Sequence, residues 1–281
     1  MVTLNPTFKI ESPLPKTGNE KLILVIGTDA VSAVSVDEHQ NLIALLSYHL
    51  PAESSWADAS NFIKHLVSED NWSNGNFNLF NIVYAYPNAL LAPKAFTNGH
   101  TDHNRHMLEL VVGDLTDDTV YTDQLPGMDV HSIYAVPKQI EATMTYLFAH
   151  KQEQHLYTIL QQIKGLGDNL LYCIFNHSSF TAMLLKDNKL TSLQTYQYKT
   201  PEDAAFYLLQ ACQVHAINSE DVLLQLNGMI SKESNLYTEL SKYFLQIQLG
   251  ELPGQFSYPA NLTEEYPAHY FSHLMAIAAC V

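Results

Sequence analysis

The apolar segments of residues 22–48 recur in residues 170–196 at a constant offset, and this internal repeat constrains the fold more than any other feature. With Leu22 placed over Leu170, Ile26 falls on Ile174, Leu42 on Leu190, Leu45 on Leu193 and Tyr48 on Tyr196. Five identities over residues 22–48 exceed the roughly two that ordinary composition gives. The shared order carries more weight than the identities. Each copy reads buried strand, polar turn, strand, short turn, strand, helix. A chain of 281 residues has room for two such lobes.

The expected elements follow from periodicity and punctuation. Residues Met1 to Glu20 hold Pro6, Pro13, Pro15 and Gly18 and read as an arm with an edge strand near Phe8. Leu22–Ile26, Val31–Val36 and Leu42–Tyr48 form a meander. Trp56, Ala59, Phe62, Ile63 and Leu66 fall at helical spacing, with Ser54 or Ser55 as the cap. Asn71–Asn78, with Gly75, reads as a polar loop, and Leu79–Tyr86 as a strand stopped by Pro87. The stretch Asn88 to Gln124 has little periodicity beyond a helix near Asn104–Val112. Ser132–Val136 is a strand, and Pro137 is placed at the first position of a helix. The second copy gives strands Leu170–Phe175, Phe180–Leu185 and Leu190–Tyr198. Thr200-Pro201-Glu202-Asp203 then supplies a cap, a proline at N1 and acids in the first turn. Asp221–Leu226 is a strand, Asn227-Gly228 a turn, and Leu236, Leu240, Phe244 and Ile247 stripe one more helix, ended by Gly250. The resulting organisation is an arm over residues 1–20, lobe I over 21–165 and lobe II over 166–281.

Charge narrows the partners. The chain carries 14 Lys+Arg against 29 Asp+Glu, a net charge of -15. Such a surface repels phosphate backbones and anionic head groups, which excludes nucleic acid and direct membrane insertion from the reading. The longest apolar runs, such as Leu22–Ile26 and Leu274–Val281, fall far short of a bilayer span, and no basic leader precedes them. A cytoplasmic location is the expectation. Cys173, Cys212 and Cys280 stand far apart with no C-x-x-C, so buried thiols are expected in place of a disulfide framework.

Several local clusters have plain structural explanations. His100, Asp102, His103, His106 and Glu109 are the densest group of metal-ligand types, but spacings of three drift by about 60° per step around a helix. A solvated helix start explains them better, and no metal site is expected. Gly165-Leu-Gly167 precedes a strand where a dinucleotide fingerprint would follow one, so it reads as an inter-lobe hinge or turn. Tyr84 and Tyr86, and Tyr196 and Tyr198, read as strand faces, or as an interface if exposed.

The duplicated β-β-β-α-β-α lobe resembles the superfamily of sugar kinases, actin and heat-shock chaperone ATPases. Gly27-Thr28-Asp29-Ala30-Val31-Ser32 is similar to its first phosphate loop, Asn176-His177-Ser178 to its second, and Leu223–Leu226 with Asn227-Gly228 to its adenosine motif. The chain resembles most a bacterial family of unknown function related to the pilus protein PilM and the division protein FtsA, on the segments Asn176 to Leu240, Ile133–Pro137 and Tyr270-Phe271. The fold this implies is α/β, with duplicated actin-like (ribonuclease H-like) lobes, each a mixed sheet with a three-stranded meander flanked by helices.

In that superfamily facing hairpins cradle ATP with backbone N–H groups, and acids position Mg²⁺. The resemblance places Asp29, Ser32, Asn176, Ser178 and Gly228 at a degenerate nucleotide cleft. Val31 stands where the first loop has glycine, Asn176 where the second has an acid, and Ser178 where it has glycine. A side chain at those points keeps the backbone off phosphate oxygens. The expectation is a catalytically inactive protein-binding or scaffolding module, without catalytic residues or cofactor, and with self-association open. The alternative is an ATP-binding switch or kinase-like ATPase with ATP and Mg²⁺ in the inter-lobe cleft, Asp29 on the Mg²⁺ side and Gly228 beside adenine.

Overall fold

Strands covered on both faces lose the apolar–polar alternation of a half-exposed sheet, and the first meander is of this kind. In the computed structural model, which describes residues 6–14, 18–51, 54–69, 79–97, 101–260 and 262–281, it comprises β2 (Lys21–Gly27), β3 (Ala30–Val36) and β4 (Leu42–His49), nearly all buried. The chain divides into two compact units, Met1–Ile159 with Gln255–Pro259, and Leu160–Gly254 with Ala260–Val281.

In the first unit β1 (Phe8–Glu11) adds antiparallel to β4, so Phe8 and Ile10 are buried while Lys9 and Glu11 are exposed. Helix α1 (Trp56–Glu69) follows the meander. Ser55 starts it: its hydroxyl accepts from the Asp58 N–H (3.2 Å) while the Asp58 carboxylate accepts from the Ser55 N–H (3.1 Å), the reciprocal pattern of a capping box. Strand β5 (Leu79–Ala85) runs parallel to β2. A smaller sheet interrupts the unit, with β6 (Ala89–Pro93), helix α2 (Thr101–Val112), β7 (Asp118–Gln124) and β8 (Val130–Pro137) in the order β6-β8-β7. Its core gathers Leu108, Leu115, Val120 and Ile133. Helix α3 (Lys138–Leu147), β9 (Lys151–His155) and α4 (Leu156–Leu160) follow, and the main sheet runs β1-β4-β3-β2-β5-β9.

The second unit repeats this order. β10 (Leu170–Phe175), β11 (Ser179–Lys186) and β12 (Lys189–Gln197) form the second antiparallel meander. Its tight turn Asp187-Asn188 has φ of 51° and 57°, the conformation that matches strand twist in a two-residue hairpin. Helix α5 (Pro201–Val214) leads to β13 (Leu223–Gly228), parallel to β10, then α6 (Asn235–Leu240), β14 (Gln246–Leu249), α7 (Leu262–Glu265) and α8 (Ser272–Cys280). The sheet order is β12-β11-β10-β13-β14. Apart from β1, the larger sheet of each unit is one antiparallel meander followed by two parallel strands. Cys173 and Cys212 are buried free thiols of this unit, and burial raises the Cys212 thiol to about 11.

Three expected elements differ. Asn227-Gly228, expected as a turn, are the last two residues of β13, paired with Ile174 and Phe175 of β10. Ile247 lies in strand β14, because helix α6 ends after Leu240, Phe244 turns into the core and Gln246–Leu249 pairs with β13. A stripe of i, i+4, i+8 spacing cannot separate a short helix plus strand from a longer helix. Pro137 closes β8 opposite Asp118 and precedes the first helical residue, Lys138; its ψ of 128° is extended. The expected loop Asn71–Asn78 and His100 lie outside the described residues. Among the described residues no helix is long and apolar enough to cross a membrane.

Candidate functional site

Open α/β sheets hold ligands at the carboxyl ends of their parallel strands, and each unit puts its expected loop residues there. In the first unit, Gly27 ends β2 beside Ala85 of β5, and Thr28-Asp29 turns into β3. The Asp29 carbonyl accepts from the Leu50 N–H at 2.8 Å and lies 2.9 Å from the His49 Nδ1, which fixes the turn. Asp29 is only 6% exposed. Val31 is buried opposite Tyr48, and the Ser32 and Ser47 hydroxyls share a buried hydrogen bond of 2.8 Å.

In the second unit the structure brings Asn176, Ser178 and Gly228 to one end of the β10–β13 pair. The Asn176 N–H donates to the Ser179 carbonyl (2.8 Å), and the Tyr198 N–H donates to the Ser178 carbonyl (3.0 Å). The Tyr198 hydroxyl donates to the Asn176 carbonyl (3.0 Å). Tyr198 thus braces both ends of the turn. Gly228 sits opposite Phe175 at φ +81°, and a Cβ there would come within 2.2 Å of the Phe175 carbonyl oxygen. That oxygen accepts from the Met229 N–H at 2.7 Å. Glycine is therefore demanded by the strand pairing itself.

Asn227 is equally committed. Its amide donates to the Cys173 carbonyl (3.0 Å), and its Oδ1 accepts from the Ser272 hydroxyl (2.8 Å). A Cβ on Gly250 would lie 1.9 Å from that Oδ1, so the residue that follows β14 is a glycine that gives the amide room. His269 adds a 2.6 Å contact from Nε2 to the Ile230 carbonyl.

The expected metal-ligand types do not converge. The His103 Nε2 lies 2.9 Å from the Phe96 carbonyl, and Glu109 pairs with Arg105 at 3.0 Å. Among the described residues no group of three His, Cys, Asp or Glu is placed to hold a metal.

A second polar cluster in the first unit was not expected from the sequence. The Tyr84 hydroxyl donates to Glu153 at 2.6 Å, and Glu153 pairs with Lys151 at 3.1 Å. Asp123 of β7 accepts from the Tyr134 hydroxyl (3.2 Å), the His155 N–H (2.8 Å) and the Thr158 hydroxyl (2.9 Å), tying the small sheet to the start of α4. Burial raises Asp123 despite these bonds. His155 is fully buried, with its Nε2 3.0 Å from the Tyr86 carbonyl and its Nδ1 accepting from the Tyr157 N–H at 3.2 Å. These bonds fix the neutral Nε2–H tautomer, and burial lowers the imidazole to about 4. Its ring stacks on Tyr134 at 4.8 Å. Tyr84 and Tyr86 are buried, and burial raises both phenols. Tyr196 and Tyr198 are half-buried against Phe180.

A family model described as "Protein of unknown function (DUF3822)" matches residues 11–247. The chain belongs to that family. No curated protein matches this chain. A Bacteroides thetaiotaomicron VPI-5482 protein with actin-like ATPase fold and unknown function is similar at 17% identity, over 95% of this chain and 98% of that one, with a TM-score of 0.75. PilM in the PilM–PilN type IV pilus biogenesis complex is similar at 13% identity, over 94% and 98%, with a TM-score of 0.62. The ethanolamine utilization protein EutJ from Carboxydothermus hydrogenoformans follows at 10%, over 97% and 93%, with a TM-score of 0.55. The DUF3822 chain has the actin-like ATPase fold.

Proposed function

We propose that this chain acts by binding another protein and does not turn over nucleoside triphosphate. The observation that supports this most is the commitment of the loop residues to their own unit. Val31 is core, Ser32 bonds Ser47, and Tyr198 braces Asn176 and Ser178. Gly228, the glycine of the adenosine-like motif, is needed to clear the Phe175 carbonyl. A phosphate cradle needs backbone N–H groups turned outward from glycine-rich turns; here the Asn176 N–H closes its own hairpin on Ser179, and the Ser32 hydroxyl is shared with Ser47. PilM, a neighbour in fold, forms a complex with PilN, so a fold of this kind has a protein-partner precedent.

The test is affinity capture of the tagged full chain from its native cells after in-cell cross-linking, beside Asp29→Ala. The proposal expects the same reproducible partner for both proteins, at equal yield, with the partner then binding as a purified protein. Loss of the partner in Asp29→Ala, or its dependence on Mg·ATP, would favour the nucleotide-switch reading.

A further inference from the structure

The two units share a meander but not the cover on its edge. In the first unit β1 lies along the outer edge of β4, with Phe8 opposite Ser47 and Ile10 opposite Leu45. The Ser12 N–H continues the pairing to the Ile43 carbonyl at 2.8 Å. Under that cover β4 is buried along its whole length save the half-buried His49. In the second unit the equivalent strand, β12, ends its sheet, and among the described residues no strand pairs with its outer side. Leu193 is the one buried residue of β12.

The equivalence extends to detail. At the offset of the sequence repeat, Ile43 falls on Thr191 and Leu45 on Leu193. Each meander skips one residue in its pairing, Ile43 in the first and Thr191 in the second. The bulge does not keep a strand away, because β4 carries it beneath β1. Backbone direction agrees as well. The Tyr198 N–H donates to the Ser178 carbonyl, in the register that pairs Met183 with Leu193. Bonded pairs alternate along an antiparallel ladder, so Leu193 turns its N–H and C=O away from β11, as Leu45 turns its own toward β1. Open edges are ordinarily guarded by charge or proline. Thr191-Ser192-Leu193-Gln194-Thr195 has neither, and residues 189–199 hold two lysines and no acid in a chain with 29 acidic side chains. This edge therefore accepts a neutral or acidic strand, whereas most of the surface repels an acidic one.

We infer that the outer edge of β12 receives an extended segment of a partner protein, added antiparallel as one more strand of the five-stranded sheet. The segment follows the pattern of β1, with apolar residues two positions apart and an acid toward its C-terminal end, beside Lys189. Cross-strand neighbours share a face, so its apolar pair stands with Leu193 and Met183, as Ile10 stands with Leu45. Main-chain bonds supply the affinity of such an added strand, and its alternate side chains supply the selectivity. This inference rests on the protein-binding reading and gives the partner a conformation and a place.

The probe is a synthetic peptide with the sequence of residues 6–14, which contains β1, titrated into the isotope-labelled full chain and followed by amide NMR. At millimolar peptide the Leu193 amide should shift and gain protection from hydrogen exchange, together with its neighbours on β12. N-methylation of the peptide at Ile10, whose N–H faces the paired strand in β1, should weaken binding about tenfold or more, the loss expected when a bonded donor is removed. N-methylation at Lys9, whose N–H faces away, should leave binding unchanged. The comparison alters only the peptide, so the fold of the protein is not at stake. No shift at Leu193, equal binding of the two methylated peptides, or shifts confined to residues 44–47, where the peptide would displace β1, would overturn the inference. So would self-association of the chain in light scattering that the peptide abolishes, which would give the edge to the arm of a second copy. The partner captured from cells is judged separately: its binding with the Leu193 amide left unprotected would sink this inference and leave the protein-binding reading standing.

Discussion

Replacing Gly228 with alanine places the largest demand on the geometry described above. The residue sits at φ +81°, and its Cβ would lie 2.2 Å from the Phe175 carbonyl oxygen, a backbone atom held in the β10–β13 pair. The left-handed backbone alone costs about 1–2 kcal/mol for a side chain other than glycine. Forcing a methyl against fixed backbone adds about 1–3 kcal/mol. The expected destabilisation is about 3 kcal/mol or more, which at about 2–4 °C per kcal/mol lowers Tm by about 6–12 °C. Urea unfolding followed by circular dichroism, together with a thermal melt, measures it directly. The loss should be the same with and without millimolar Mg·ATP, because the glycine serves the strand pair. A variant within about 1 kcal/mol of wild type would show that Asn227-Gly228 does not approach Phe175 as described. A loss seen only with Mg·ATP present would give the glycine to a nucleotide.

Three further outcomes are expected. His155 drops from its ordinary value of 6.5 to about 4 in the folded chain, so the unfolded state binds the proton first on acidification. Its contribution is intact above pH 6.5 and is lost as pH falls toward 4, in total about 3 kcal/mol; stability measured against pH should show this component in wild type and not in His155→Gln, and an imidazole titrating near 6.5 by NMR would refute it. Thr200 caps α5, accepting from the Asp203 N–H at 3.2 Å within a capping box; Thr200→Ala should lose about 1 kcal/mol in urea unfolding, and an unchanged midpoint would deny the cap. Tyr84→Phe removes the 2.6 Å bond to Glu153 and should lose about 1–2 kcal/mol, whereas equal stability would mean water replaces the phenol.

The sequence declared those parts of the fold whose local pattern and long-range role coincide. Leu22–Ile26 and Leu170–Phe175 are apolar throughout because they are central strands, flanked on both sides by others in their sheets. Thr200-Pro201-Glu202-Asp203 was readable because a cap is settled by neighbours three residues apart. β9 was not. Lys151–His155 reads KQEQH and is a strand only because β5 offers its parallel edge. β14 hid inside a helical stripe for the same reason, since pairing with β13 decides it. The loop positions Asp29, Ser32, Asn176, Ser178 and Gly228 were legible through resemblance, while the bonds that occupy them depend on Tyr198, Ser47 and Phe175. The Asp123–His155 cluster left only a trace, an excess of tyrosines at alternating positions. Its partners are 32 and 69 residues apart in the chain, and no local spacing encodes such a meeting.

The central claim is that the loops no longer hold a triphosphate, and a thermal melt of the full chain with and without Mg·ATP tests it most directly. A ligand at a hundred times its dissociation constant stabilises the folded state by about 2.7 kcal/mol, a shift of several degrees. The account predicts coincident melting curves at millimolar Mg·ATP, for wild type and for Asp29→Ala alike. A rise of several degrees in wild type that Asp29→Ala abolishes would contradict it.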